Sequence, residues 1–341
     1  MIPKPNITEL KPSELGYAVE DAIRSNVVPV VLSSPGMGKS DIIKQTVERL
    51  KMKLVDERTS TMDLTDWRGV PDIDREKKRT IWYPPDFLPG EKDKPTVVFF
   101  DEITQTPTQC QPPLYQLLLD RKLGTVYTAP KTTRFVCAGN LMDDGTFVNK
   151  LGSALRDRMV ALYLKPDVDD WCKWAYEASI APSVIAFIRF RPNFLYAFNK
   201  NDWASPTARG WEFVSRIVMN AKTLGRVRDA LIEGKIGHSH MIEYTAFERI
   251  FSTLPSIDAI KLNPDTAQLP DANKPELAFA IANALSMHMT VGNIDRIVIY
   301  LNRLPEEYGV FTMKVAVRRD TKLGQTPAFT KWVVQHADAM N

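Results

Sequence analysis

The sequence predicts an α/β protein in which a parallel sheet flanked by helices precedes an all-helical region. Three apolar runs rich in β-branched or aromatic residues begin at Val27, Thr96 and Thr133. Such runs are typical of strands buried on both faces of a parallel sheet. A helical pattern follows the first run over 39–50, and from about Pro166 onward apolar residues recur at helical spacing.

The segment between the first run and its helix reads SSPGMGKS, from Ser33 to Ser40. Glycines in this segment let the backbone curl so that its N–H groups face a polyphosphate at the positive end of the helix dipole. In this pattern Lys39 reaches the outer phosphates and the Ser40 hydroxyl binds Mg²⁺. The phosphate-loop pattern begins with glycine, so Ser33 is a departure from it. The other predicted loop contacts to phosphate are Ser34, Pro35, Gly36, Met37 and Gly38.

Two acids follow the second apolar run, 96–100. The carboxyl end of a buried parallel strand projects such charges toward the loop after the first strand. Asp101 is expected to organise Mg²⁺, and Glu102 to orient or deprotonate the attacking water as a general base. The alternative is that Asp101 caps the next helix and Glu102 is a surface acid.

A polar side chain also ends the third run, 133–140. Asn140 is able to hydrogen-bond both the water and the γ-phosphate without adding charge. A lone asparagine at a strand end is otherwise typical of a turn. Its place in the order of strands favours the catalytic interpretation.

The order of these parts resembles the AAA+ ATPases, and within them the MoxR-like branch, including the MoxR-like ATPases of bacteriophage genomes. The resemblance rests on the segments PGMGKS, FFDEI, CAGN and LGSALRDRM, in that order. It is specific over residues 13–165 and looser from there to about 215. It implies the P-loop NTPase AAA+ fold over 1–165, a helical lid over 166–260 and a helical C-terminal region over 261–341.

The resemblance also assigns roles to individual residues. It implies Walker A at Lys39 and Ser40, Walker B at Asp101 and Glu102, and sensor 1 at Asn140.

The family places an arginine finger just after sensor 1, from where it reaches the site of a neighbouring subunit. Both Arg156 and Arg158 in the segment ALRDRM are candidates, and the other arginine is expected to pair with Asp157 or a nearby acid. An arginine supplied in trans accelerates phosphoryl transfer by about 10³-fold or more. The resemblance therefore implies a homo-oligomer, expected to be a hexameric ring.

The family's sensor 2 arginine lies at the start of a lid helix. A serine followed by proline, Ser205–Pro206, is a helix-start signal, and Arg209 is the candidate. MoxR-type sequences place the arginine directly after the proline, where this chain has Thr207. An ordinary surface arginine is the alternative for Arg209.

The stretch 63–87 is rich in aromatic residues and proline. In this branch an insertion near the second helix lines a central pore and engages partners, so the Trp82–Tyr83 pair is one candidate contact. The alternative is that these aromatic residues fold a loop back onto the core.

The remaining pattern predicts helices over 241–251, 277–287, 294–304 and 329–336, a polar break at 237–240 and a linker or loop over 261–276. No chemistry is visible in this C-terminal part, which is where partner specificity is expected.

Composition excludes several classes of function. The 341-residue chain carries a formal charge of only +3, too small for a global nucleic-acid or membrane field. The basic runs 75–79 and 318–319 are expected to be solvated surface or loop, and a binding patch is the alternative for either. Its three cysteines and four histidines lack the spacing of a metal site, and no apolar run approaches the ~18 residues of a membrane span.

The sequence therefore predicts a Mg²⁺-dependent ATPase of the MoxR-like type. The resemblance implies that it remodels a protein partner in a chaperone-like manner, such as a protein with a von Willebrand factor A domain. One alternative is a nucleic-acid motor or loader acting on DNA, and another is a nucleotide-dependent scaffold with little turnover. The expected location is the cytoplasm of a bacterial or phage-infected host cell.

Overall fold

The computed structural model describes residues 8–141, 151–223 and 225–337. The chain divides into two compact units, the first ending at Asp170 and the second starting at Trp171. The first unit carries the sheet, and the second is helical. The predicted subdivision of the helical half into 166–260 and 261–341 stays a prediction.

Six parallel strands form the main sheet of the first unit: β1 Glu9–Leu10, β2 Val28–Leu32, β3 Lys53–Arg58, β6 Thr96–Asp101, β9 Thr133–Gly139 and β10 Met159–Leu164. Their order in the sheet is β1-β10-β2-β9-β6-β3. The helices of this unit are α1 Pro12–Arg24, α2 Lys39–Arg49, α3 Leu64–Arg68, α4 Gln111–Asp120 and α5 Ser153–Arg156. The predicted α/β fold is confirmed.

Both faces of the sheet are packed against apolar side chains. Along β6, Val97 and Phe99 belong to one core cluster, together with Leu15 of α1 and Ile43 of α2. Val98 and Phe100 alternate with them and belong to a second cluster, which includes Leu114, Leu117 and Leu118 of α4. This two-sided burial explains why the central strands are continuous apolar runs rather than alternating ones.

The stretch 63–87 forms α3 and then an antiparallel hairpin of β4 (Val70–Asp74) and β5 (Arg79–Tyr83). Trp67 is fully buried and contacts the ring of Phe100, as expected for a segment folded onto the core. Trp82 and Tyr83 lie instead on the exposed hairpin, with 38% and 55% of their surface accessible. The packing interpretation therefore holds for Trp67 and is wrong for the Trp82–Tyr83 pair. A second short hairpin pairs β7 (Lys122–Leu123) with β8 (Tyr127–Thr128).

The second unit contains only helices and turns among its described residues. Helix α6, Val168–Glu177, crosses the boundary between the two units. The helices that follow it are α7 Pro182–Phe190, α8 Ala208–Asn220, α9 Arg226–Ile236, α10 His238–Phe251, α11 Ile257–Leu262, α12 Pro275–His288, α13 Ile294–Leu301, α14 Glu306–Arg319 and α15 Pro327–Gln335. Among the described parts of the chain, no helix has the length and apolar character needed to cross a membrane.

Several helix starts differ from the sequence prediction. Helices α12 and α15 begin two residues earlier than predicted, at Pro275 and Pro327, so the predicted linker 261–276 overlaps α11 and α12 at its ends.

The starts of α10 and α8 also differ. The polar break is confined to Gly237, which has a φ of 83°, and α10 begins at the next residue. Polar residues are tolerated at this start because His238 and Ser239 are exposed. The serine–proline pair does not begin α8, since Thr207 is its N-cap and accepts a hydrogen bond from the N–H of Gly210 at 3.0 Å.

Candidate nucleotide-binding site

The predicted site residues lie at the carboxyl ends of three adjacent central strands of the sheet. Strand β2 pairs with β9, and β9 pairs with β6, all in parallel. Ser33, Asn140 and Asp101 stand at or just after the carboxyl ends of these strands. This is the edge of an open α/β sheet where ligands bind.

The loop between β2 and α2 has the backbone that a phosphate cradle requires. Gly36 and Gly38 have φ values of 77° and 91°, in the left-handed region that favours glycine. Gly38 is also the N-cap of α2, and because glycine has no side chain it does not occupy the N–H groups of the first turn. The first turn of an eleven-residue helix therefore offers its N–H groups and its dipole to an anion. Ser34, Pro35 and Met37 lie partly exposed along the same loop.

Lys39 is held inside this loop by oxygen atoms. Its side chain is buried, with the residue only 8% exposed. The ammonium Nζ donates to the carbonyl oxygens of Ser33 at 2.9 Å and Ser34 at 3.3 Å. It also donates to Ser33 Oγ at 3.1 Å and to Asn140 Oδ1 at 3.0 Å. The structure thus brings the predicted Walker A lysine and the predicted sensor 1 asparagine into direct contact.

The departure at Ser33 has a physical explanation. Its φ is not positive, so a side chain is tolerated where the pattern has glycine. The Ser33 hydroxyl is an acceptor for Lys39 and donates to the carbonyl of Ser34 at 3.0 Å. The residue is 1% exposed and therefore part of the loop's internal bonding rather than its surface.

Ser40 and Asp101 form the second contact of the site. Ser40 Oγ donates to Asp101 Oδ2 at 2.7 Å, and Asp101 Oδ1 accepts from the N–H of Glu102 at 2.8 Å. The backbone carbonyl of Asp101 is fixed by Thr59 Oγ1 at 3.1 Å. Hydroxyl and carboxylate oxygens are ligands that Mg²⁺ accepts, usually as one or two protein groups completed by phosphates and water. The pair of donor residues fits this ion.

Glu102 has an unusual backbone and a specific partner. Its φ of 58° lies in the left-handed region, which is uncommon for a residue with a side chain and costs about 1–2 kcal/mol. The hydroxyl of Ser60 donates to its carboxylate atom Oε2. Ser60 was not among the predicted site residues, because it follows β3 in a 3-10 turn with no local motif around it.

Asn140 is positioned by Thr104. Its backbone N–H donates to Thr104 Oγ1 at 3.0 Å, which fixes the end of β9 against the turn that follows β6. Gly139 leaves room for this contact, since a Cβ at that position would lie 2.6 Å from Thr104 Cγ2. Thr104 is a second residue that sequence reasoning missed.

Replacing Gly139 with alanine should therefore destabilise the first unit. The added methyl group overpacks the contact with Thr104, and such insertions cost about 1–3 kcal/mol in the free energy of unfolding. Urea unfolding of Gly139→Ala should show this loss. Gly16→Ala is the matched control, because Gly16 is buried in α1 and its new Cβ would meet only contacts of 3.5 Å or longer. Equal stability of the two variants would contradict the tight packing at Gly139.

The three candidate arginines occupy two different places. Arg156 ends α5 and is exposed, whereas Arg158 follows one residue beyond the C-cap and is partly buried. Arg209 is exposed in the first turn of α8, in the second unit. Their roles stay predictions.

The family model of the AAA domain (dynein-related subfamily) matches residues 30–159. A comparison with curated proteins gives no match. Among solved structures, the chain is similar to NtrX from Brucella abortus in complex with ADP, with 13% identity, a TM-score of 0.40 and coverage of 85% of this chain and 65% of that one. It is also similar to a mutant of RuvB from Thermotoga maritima, with 14% identity, a TM-score of 0.34 and coverage of 95% of this chain and 86% of that one.

The matched residues run from β2 to the start of β10. They include the loop 33–40, the acid pair Asp101–Glu102, Asn140 and the segment 153–158, which carries Arg156 and Arg158 and is called the arginine turn below. These residues match an AAA domain, a type of ATP-binding module, and the chain has an α/β AAA+ fold that is followed by a helical region. The assignment rests on the domain match and on the site, because the solved structures are similar only at low TM-scores. The chain spans about two thirds of the length of the NtrX structure.

Proposed function

We propose that this protein is a Mg²⁺-dependent ATPase of the MoxR-like, bacteriophage type that works as a ring. The observation that carries the ATPase proposal is the convergence of Lys39, the Ser40–Asp101 pair and Asn140 at one edge of the sheet. The AAA domain match over residues 30–159 supports it.

The loop residues bind the triphosphate in this proposal. The N–H groups of the first turn of α2 face the phosphates, and Lys39 exchanges some of its loop oxygens for phosphate oxygens. Asn140 Oδ1 accepts from Lys39 and is thereby placed close to the outer phosphate, where its amide group is able to orient a water molecule. Ser40 and Asp101 would hold Mg²⁺, which neutralises charge on the phosphates when it is bound.

Glu102 is the general base in this proposal. Its carboxylate needs to accept a proton from the attacking water, and in the structure one of its oxygens accepts a hydrogen bond from Ser60. The Ser60 contact fixes the side chain of a residue whose backbone is already in an uncommon conformation. Ser60 therefore sets the direction in which the base points in this proposal.

Ring formation is supported by the arginine turn. An exposed Arg156 and a partly buried Arg158 stand where the family places a finger donated to the neighbouring subunit. We propose a hexamer in which one of them completes the neighbouring site, while Arg209 serves as sensor 2 in the helical unit. The energy of hydrolysis would remodel a protein partner, such as one with a von Willebrand factor A domain. The expected cytoplasmic location remains a prediction.

A DNA motor or loader is the second candidate, and one observation favours it. The turn of the β4–β5 hairpin carries the exposed run 75–79, with four basic residues and one acid. Trp82 and Tyr83 are exposed on the same hairpin, and exposed aromatic rings stack on the bases of single strands. Stimulation of ATP turnover by DNA, with binding that weakens steeply as salt rises, would favour the motor. A turnover rate indifferent to DNA would exclude it.

Lys39→Ala is the variant that tests ATP binding. Loss of the ammonium removes a charged hydrogen-bond donor to phosphate, worth about 1.5–3 kcal/mol, so ATP affinity should fall by about 10- to 150-fold. Isothermal titration calorimetry measures it. Lys44→Ala is the matched control on the same helix, since Lys44 pairs with Asp56 at 2.8 Å and is half exposed. An Lys39→Ala protein that binds ATP normally would contradict the site.

The partner class requires a separate experiment. A Glu102→Gln protein should trap the nucleotide-bound state, and whatever co-purifies with it identifies the substrate. Recovery of a specific protein whose release depends on ATP supports remodelling. Recovery of nucleic acid alone supports the motor instead.

A further inference from the structure

The turn that carries Arg156 and Arg158 is too short to hold its own position. Helix α5 spans only Ser153–Arg156, and isolated helices shorter than about 12 residues are marginal in water. Its orientation must therefore come from contacts with the rest of the first unit. Strand β10 fixes the chain after the turn, beginning at Met159.

Two contacts fix the turn from the other side. Leu155 is fully buried in the core cluster that contains the α4 leucines. An apolar side chain holds a segment down but does not set its rotation, because the hydrophobic effect is not directional. The directional contact is made by Tyr115 on α4, whose hydroxyl accepts from the N–H of Gly152 at 3.2 Å. Gly152 is the N-cap of α5.

The Tyr115 hydroxyl is itself held in place. It donates to Gln111 Oε1, one turn earlier on α4, and Gln111 is buried. Gly152 sits so close that a Cβ there would lie 2.9 Å from the Tyr115 hydroxyl. Helix α4 follows the Asp101–Glu102 pair through two 3-10 turns, Ile103–Gln105 and Thr108–Cys110. The hydroxyl thus links the element that follows the acid pair to the start of the arginine turn.

We propose that Tyr115 is a positioning residue for the arginine finger, acting through Gly152 on the neighbouring subunit's site rather than on its own. This inference rests on the proposed function, in which an arginine of this turn is supplied in trans. The hydroxyl fixes the rotation of the turn about Leu155 and hence the direction in which Arg156 and Arg158 leave it.

Tyr115→Phe removes the hydroxyl and keeps the ring. We expect kcat for ATP to fall by roughly 10- to 100-fold, since a 1 Å misplacement of a group can cost about 10²-fold. The affinity for ATP should stay within about twofold, because the variant's own loop is intact. Gly152→Ala should show the same pattern, since its methyl group displaces the same hydroxyl.

Tyr127→Phe is the matched control. Tyr127 is buried in the same unit and its hydroxyl donates to a backbone carbonyl, that of Pro89, at 2.8 Å. Burial raises the pKa of Tyr127 to about 12, so its hydroxyl is a donor throughout the assay range. A Tyr115→Phe enzyme no slower than Tyr127→Phe would overturn the proposal.

Mixed oligomers separate positioning in trans from damage to the variant's own site. Tyr115→Phe subunits mixed with Lys39→Ala subunits should regain activity, because an intact finger then faces an intact loop. Tyr115→Phe subunits mixed with subunits that lack the finger arginine should not regain activity, because neither kind of subunit then supplies an intact finger. If the arginine variant recovers with Lys39→Ala but Tyr115→Phe does not, Tyr115 acts on its own site and the inference is wrong. If neither recovers, the finger in trans fails, and the inference fails with it.

Discussion

Glu102→Gln should leave ATP bound and reduce its hydrolysis by about 10²- to 10⁴-fold, the usual contribution of a general base. The amide is nearly isosteric with the carboxylate and still offers an oxygen to the Ser60 hydroxyl, so the geometry at the end of β6 is kept. The charge that would accept a proton from water is lost. Phosphate release measures the turnover, and a fluorescent ATP analogue measures the binding.

Glu57→Gln is the control for this change of charge. Glu57 lies on the neighbouring strand β3, and burial together with nearby Asp86 raises the pKa of its carboxyl. Among the described contacts Glu57 has no hydrogen bond or ion pair with Lys39, Ser40 or Asp101, so Glu57→Gln should leave turnover close to that of the unmodified protein. Normal turnover by Glu102→Gln would remove the base assignment, and equal losses in both variants would point to a general effect of charge.

The second large effect is expected at the arginine turn. Alanine at the finger position should lower kcat by about 10³-fold or more while ATP binding is retained, because the guanidinium acts on charge that develops in the transition state. Comparison of Arg156→Ala with Arg158→Ala identifies the finger. The arginine that only shapes the turn should instead affect stability, with a much smaller loss of turnover.

Mixing shows whether that arginine is shared between subunits. In a closed ring formed by random mixing of equal amounts of the finger variant and Lys39→Ala, about one quarter of the interfaces pair an intact loop with an intact arginine. Activity should therefore reappear in a mixture of two inactive proteins. A mixture as inactive as its components would contradict sharing between subunits.

The sheet and the centre of the site could be predicted because their signals are local. Lys39, Asp101 and Asn140 each come directly after an apolar run or its loop, so the end of each strand is visible in the sequence. Parallel pairing then places the strand ends side by side. The helical pattern after Pro166 is equally local, although the start of α8 was wrong by two residues because Thr207 rather than Ser205 supplies the cap.

The supporting residues could not be predicted because their partners are far away in the chain. Ser60 contacts an acid 42 residues later, and the Tyr115 hydroxyl meets an N–H 37 residues later. Neither residue belongs to a spacing pattern. The exposure of Trp82 and Tyr83 was equally hidden, since aromatic residues among prolines fit a packed loop as well as a projecting hairpin.

Because the site lies at strand ends, the protein should tolerate single-residue deletions very differently from one segment to another. Successive side chains of a strand point to opposite faces, so a single-residue deletion inside β6 would turn its whole pattern over and move Asp101 away from Ser40. The same deletion in the hairpin turn at 75–78 touches no residue of the site. A deletion scan should therefore find the three central strands intolerant and the hairpin turn at 75–78 permissive.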